Sequence, residues 1–177
     1  MTGRPAAHDA AAEGRGLRRV SVSRELPGQP GDVFDLVADV RHHSRWIPLT
    51  WGSFPVEPSG RPLPDGPLPL CARFTMYSHP GIVDRMEVVG LERPAGDALS
   101  GTEHHRLVLR KAGPLLHGTA GIDVEPVDHA TSLVTWWEEV YLAGPLPARL
   151  TSPLLGVPLG LMLRLALHRV SRELDAV

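Results

Sequence analysis

The 177-residue sequence predicts an α+β fold. In that fold a curved antiparallel sheet of six to seven strands carries two short helices after its first strand, and one long C-terminal helix lies across it. Three observations predict this. The chain opens with a strand-like run that turns into helical spacing within Val20–Pro48. It continues as strand-like runs whose links are too short for crossover helices, which favours an antiparallel meander. It closes on a long apolar helix from about Pro158 to Leu174, the one element long enough to cover a face of such a sheet.

The opening strand reads from Arg18 to Leu26, where Val20, Val22, Arg24 and Leu26 alternate with Arg19, Ser21, Ser23 and Glu25. Pro27-Gly28 ends it. Pro30 suits the first helical turn, where a missing N–H is harmless, and Val33, Phe34, Val37 and Val40 recur on one helix face. Asp32 and Asp35 stand near the positive end of that helix dipole. Ser44 to Ile47 reads as a second short helix stopped by Pro48. A weak edge strand around Ser53 to Val56 leads into a proline-rich loop that runs to residue 70.

Five further strands follow: Cys71–Ser78, Ile82–Glu92, His104–Lys111, Leu115–Pro126 and Ser132–Leu142. The separators are turn-like: His79-Pro80-Gly81, Pro94-Ala95-Gly96-Asp97, Ala112-Gly113-Pro114 and Asp128-His129. In the closing helix, Leu159, Met162, Leu163, Ala166, Val170 and Leu174 share one face, with Arg164, His168, Arg169, Arg172 and Glu173 elsewhere.

Composition bounds the function. A formal charge of −2 offers no field to nucleic acid or anionic lipid. Lys111 is the only lysine, a skew toward arginine that reads as coding bias. Cys71 stands alone, so an internal disulfide and any multi-cysteine metal site are excluded, and the chain reads as reduced and cytoplasmic. Residues 1–16 are polar and small, a disordered tail ahead of a single domain over 17–177. The uncharged run from Leu150 to Leu163 is broken by Pro153 and Pro158 and stopped by Arg164. It is too short to span a bilayer and reads as a buried helix, so no integral membrane segment is expected.

A curved sheet gripping one helix leaves a hollow, and such hollows are usually apolar ligand sites with a few polar groups. Here the sequence resembles a known family. Pro30, Val33, Phe34, Val37, Asp39, Trp46 and Pro48 fill the places of the opening phrase of the polyketide cyclase/dehydrase and lipid-transport family, in the START-like (SRPBCC) superfamily. MEVVGLERP at 86–94 and LVTWWEEVYL at 133–142 resemble that family's fourth and last strands. The resemblance covers about residues 18–175 and implies the helix-grip fold. It does not imply one activity, because that superfamily spans carriers, receptors, cyclases and oxygenase domains.

The strand faces supply the candidate ligand-binding residues. On the last strand, Val134, Trp136, Glu138, Val140 and Leu142 share the more apolar face, so Trp136 is expected as a flat wall of the hollow and Glu138 as its polar neighbour. Glu138 is a candidate acid or anchor; the plain alternative is an ion pair with a nearby arginine or exposure to solvent. Arg24 shares its face with Val20, Val22 and Leu26, and Glu138 is its natural mate if first and last strands pair; a surface arginine is the alternative. Asp84 and Met86 share a face with Ile82 and Val88, and Tyr77 shares one with Arg73 and Thr75. Leu159, Met162 and Leu163 are the candidates from the closing helix.

Other chemistries find no footing. The adjacent pairs His42-His43 and His104-His105 lack metal-ligand spacing, no GxSxG elbow or GxGxxG phrase occurs, and Cys71 has no evident base. No metal, cofactor or catalytic residue is assigned. Two functions stay open: a binding module for a hydrophobic or amphipathic small molecule (lipid, isoprenoid or polyketide-like), and a cyclase, aromatase or dehydratase working in the same cavity. Orientation of Trp136 and Glu138 and the presence of a cavity discriminate them from a filled interaction protein. Oligomeric state is left open.

Overall fold

In the computed structural model, which describes residues 17–94 and 104–176, seven strands form one curled antiparallel sheet. They are β1 (Arg19–Pro27), β2 (Thr50–Ser53), β3 (Arg73–Ser78), β4 (Ile82–Glu92), β5 (His105–Pro114), β6 (Leu116–Pro126) and β7 (Thr131–Leu142). Their order is β1-β7-β6-β5-β4-β3-β2, so the first strand crosses over to pair with the last while the rest meander. Helices α1 (Pro30–Ala38) and α2 (His43–Trp46) follow β1, joined by a 3-10 turn at Val40–His42. Helix α3 (Ala148–Leu174) closes the chain. This is the helix-grip architecture that the sequence predicts. The expected tail over 1–16, and the turn at 94–97 beyond Pro94, lie outside the described residues.

Local chemistry explains the elements. Pro30 starts α1 and Asp32 sits in its first turn; Val33, Phe34, Val37 and Ala38 face inward. Asp39 ends the helix and accepts from the Arg41 backbone N–H at 3.0 Å, while the Arg41 guanidinium grips both carboxylate oxygens at 2.7 and 2.6 Å. The same guanidinium donates to the carbonyls of Leu63, Pro64 and Gly66, which ties the proline-rich loop to the core. Burial opposes the charge of Asp39, but the hydrogen bonds and charge of Arg41 outweigh it and hold the carboxyl below its ordinary pKa.

Two elements are displaced from their expected places. β2 lies at Thr50–Ser53, paired with Thr75–Ser78, rather than at 53–56. Pro55 and Pro58 donate no N–H to a ladder, and Val56 makes only an isolated bridge to Pro62. α3 begins at Ala148, well before Pro158, and runs through both Pro153 and Pro158. Both prolines are exposed, so the carbonyls they leave unpaired face water.

The two halves of α3 differ. Leu163, Ala166, Leu167 and Val170 are buried in the core, and Trp46 packs there with its indole donating to Glu173 at 2.7 Å. In the first half, Leu150, Leu154, Val157 and Leu161 are exposed, contrary to the expected buried helix. Thr151, Ser152 and Gly160 hold the other side of this half against β1 and β7. α3 is long and apolar enough by composition to cross a bilayer, but its C-terminal half is built into the domain core.

Candidate functional site

The strand registers set out the interior row by row. Val134, Val124 and His105 align across β7, β6 and β5; Trp136, Ile122 and Leu107 form the next row; Glu138, Ala120, Leu109 and Val88 form a third that continues onto β4. A fourth row passes through Val140, Gly118, Lys111 and Met86. The first two rows are roofed by α1, which packs on β5, β6 and β7 with Phe34 and His105 rings 5.1 Å apart. From the third row onward α3 spans the sheet from Leu155 to Leu165, with His43, Ile47 and Pro48 at its side, and a cavity of about 610 Å³ opens beneath it. That volume falls within the usual range for small-molecule sites, roughly 300–1,000 Å³.

The cavity walls are mostly apolar. Met76, Ile82 and Met86 come from β3 and β4, Trp136 and Leu142 from β7, and Leu155, Leu159 and Met162 from α3. Its floor carries a buried charge cluster. Lys111 Nζ donates to Asp84 Oδ2 at 2.8 Å and lies 3.1 Å from Glu138 Oε2, an ion pair without hydrogen-bond direction. All three are buried: Asp84 and Lys111 are 7% exposed and Glu138 3%. Burial opposes the ammonium charge, but Glu138 and Asp84 outweigh it and raise the Lys111 pKa, so Lys111 is charged at any ordinary pH.

The backbone explains how residues from three strands meet. β6 separates β5 from β7, and at the crossing it presents only Gly118 and Ala120 inward, opposite Lys111 and Glu138. Two long charged side chains therefore reach each other over a strand without bulk. Gly118 is fixed by its own geometry as well: its φ is +125°, and a Cβ would strike the carbonyl of Glu139. On β4 a register shift falls between Asp84 and Met86, where β5 carries the extra residue, and such irregularities re-aim side chains.

His43 closes one side, its ring tilted against that of Trp136 with centres 4.6 Å apart. Full burial pushes its pKa down to about 4, so the ring is neutral at physiological pH. Nε2 lies 3.0 Å from the Val37 carbonyl. A carbonyl only accepts, which places the proton on Nε2 and leaves Nδ1 as the lone-pair acceptor. Among the described residues no group of three or more His, Cys, Asp or Glu is placed to hold a metal ion.

Of the residues singled out from sequence, Asp84, Met86, Trp136, Glu138, Leu159 and Met162 line this cavity together. Three do not. Arg24 is exposed; β1 and β7 do pair, but the register sets Arg24 opposite Val134 and Val20 opposite Glu138, whose cation is Lys111 instead. Tyr77 lies on the other face of β3, stacked on Trp51 with ring centres 5.8 Å apart, while Phe74 and Met76 turn inward. Leu163 is wholly buried in the core beside the cavity rather than on its wall. Lys111, His43 and Ala120 went unread. Lys111 had a signal: it continues the inward phase of His105, Leu107 and Leu109, where a lone lysine requires buried carboxylates.

Comparison with known proteins agrees with this geometry. A family model described as "Polyketide cyclase / dehydrase and lipid transport" matches residues 18–175. The chain belongs to that family. A hypothetical protein from Helicobacter pylori superposes with a TM-score of 0.69 at 15% identity, over 98% of this chain and 99% of that one. A START superfamily protein from Mycobacterium smegmatis gives 0.61 at 15% identity, over 89% and 97%. The di-domain ARO/CYC protein BexL of the BE-7585A biosynthetic pathway gives 0.55 at 16%, over 87% of this chain and 46% of that one. These likenesses establish a START-like fold; at such identities they speak for fold alone. No curated protein matches the chain.

Proposed function

We propose that the protein binds a hydrophobic or amphipathic small molecule, of lipid, isoprenoid or polyketide-like character, between the sheet and the first half of α3. The observation that carries the reading is a cavity of about 610 Å³ with apolar walls and one charged cluster on its floor. An apolar body gains by leaving water, at about 25 cal/mol per Å², and the cluster orients its polar end. Membership in a family described by polyketide cyclization and lipid transport supports the same reading.

Titration with the neutral fluorophore N-phenyl-1-naphthylamine tests it. Saturable binding is expected, and Leu159→Trp should abolish it by filling the cavity from the half-buried α3 side, away from the buried ion cluster. Native mass spectrometry of the purified protein adds a search for a co-purified mass. No saturable binding together with no retained mass would sink the proposal.

The buried carboxylates support a second reading, a cyclase, aromatase or dehydratase in which Glu138 serves as acid or base. Glu138→Gln should then abolish turnover of any substrate found without unfolding the protein. Unchanged turnover removes Glu138 from that role.

A further inference from the structure

We infer that the cavity selects ligands whose polar end donates a hydrogen bond, an alcohol, phenol or amine, over ligands that end in a carboxylate or phosphate. This rests on the binding role proposed above and adds the chemistry of the polar end. The charged residues lining the cavity are Asp84, Glu138 and Lys111, two acids to one base. Lys111 is committed to both carboxylates, which leaves no cation for an anionic head. Two carboxylates set against one ammonium do not favour an anion in a low-dielectric site. The cluster is also short of donors. Asp84 Oδ1 is buried with no hydrogen-bond partner among the described residues, and Glu138 Oε2 meets only the Lys111 ammonium at 3.1 Å; an acceptor left unmade in such surroundings is unfavourable. A ligand hydroxyl or ammonium supplies what is missing, whereas a carboxylate adds more acceptors.

The test is displacement of N-phenyl-1-naphthylamine at pH 7 by dodecanol, dodecylamine and dodecanoate, which share one chain. Wild type should prefer the alcohol or amine over the carboxylate by at least about tenfold. Asp84→Asn should shrink that ratio, and Asp84→Asn with Glu138→Gln, leaving Lys111 as the lone charge, should invert it. Equal or tighter binding of dodecanoate to wild type overturns the inference, and so does a ratio unmoved in Asp84→Asn, the variant retained if the double one does not fold. Failure of the fluorophore itself to bind would instead overturn the cavity reading beneath it.

A separate observation, independent of the cavity's contents, lies on the outside of α3. Leu150, Leu154, Val157 and Leu161 form one exposed stripe, with Leu154 at 71% and Val157 at 72% exposure. Arg164 and Arg172 continue the same helix face, Arg149 and Arg169 flank it, and the helix holds no acidic residue before Glu173. An exposed apolar stripe accompanied on its own helix by arginines matches an anionic lipid surface. We propose that this face docks on the headgroup layer of anionic membranes. Leu161 belongs both to the stripe and to the cavity lining, so docking sets the cavity beside the bilayer.

Co-sedimentation with phosphatidylcholine vesicles, with and without phosphatidylglycerol, tests it. Retention is expected only with the anionic lipid, and Leu154→Glu with Val157→Glu should cut it at least about tenfold. No retention on anionic vesicles overturns the proposal. So does a concentration-dependent dimer, dispersed by the same substitutions, in protein that ignores vesicles: the stripe would then be a contact between two copies of this chain.

Discussion

The two ends of the sheet interior use the same strands and the same alternation, and they differ in what lies above them. At one end the inward residues are Val124, Ile122, Leu107 and Val134, and α1 with the second half of α3 presses Phe34, Val37, Leu167 and Val170 into the same core. At the other, the inward positions are Leu109 and Lys111 on β5, Ala120 on β6 and Glu138 on β7, and they border a cavity covered by α3 from Leu155 to Leu165 and flanked by His43 and Ile47. Packing and site are therefore separated along each strand rather than between elements. Burial at the filled end holds the domain together, and this allows the open end to keep a void and three buried charges that do not help it fold.

The sharpest way to break this comparison is to weaken the filled end. Phe34→Ala removes a fully buried ring, and a loss of about 4 kcal/mol is expected in urea unfolding. Arg41→Ala comes next. It strands the fully buried Asp39 carboxylate and frees the proline-rich loop, with an expected loss of about 3 kcal/mol near neutral pH. The Asp39 pKa is depressed by folding, so its contribution is present above the unfolded carboxyl pKa and is lost as pH falls through the folded one. Arg41→Ala should therefore lose its disadvantage in strong acid, where wild type has lost the pair as well. An equal penalty at both pH values would refute the ion pair as its cause.

His43 stands where the two ends meet. Its folded pKa of about 4 lies below the unfolded value near 6.5, so the unfolded chain takes up the proton first. Stability should fall as pH drops from about 6.5 to about 4, by at most about 3 kcal/mol from this residue. His43→Phe should flatten that part of the profile in urea titrations at pH 7 and 4.5. An unaltered slope would mean that the ring is not held neutral against Trp136.

How far the sequence reached follows the same division. Alternation on β7 and β4 was readable because Trp136 and Glu138, like Asp84 and Met86, sit in phase with plainly apolar neighbours. β3 was not, since Phe74 and Met76 occupy one phase and Tyr77 the other, both of them β-compatible. Pairing of β1 with β7 was expected, but its register was not, and a shift of four residues separates Arg24 from Glu138. Lys111 was visible only as a rarity of composition; its role depends on the smallness of Gly118 and Ala120 on an intervening strand, a relation that no local pattern holds. The first half of α3 is apolar all round, so its exposure depends on the curl of the sheet and not on its own periodicity.

The smallest expected effect tests the open end most directly. Leu159 and Met162 line the cavity and are only half-buried, in contrast to Leu163, which is fully enclosed on the same helix. A large-to-small change is destabilising through the packing it removes and the new void it leaves. Where a side chain already borders a void, few contacts are lost and the space is continuous with the existing cavity. Leu159→Ala and Met162→Ala should each reduce stability by less than about 1 kcal/mol, whereas Leu163→Ala should reduce it by about 3 kcal/mol. Fluorophore binding should show the opposite order, weakened most by Leu159→Ala and Met162→Ala. If all three substitutions destabilised equally, the first half of α3 would have to collapse onto the sheet in solution, and Lys111, Asp84 and Glu138 would then form a structural ion cluster rather than the floor of a site.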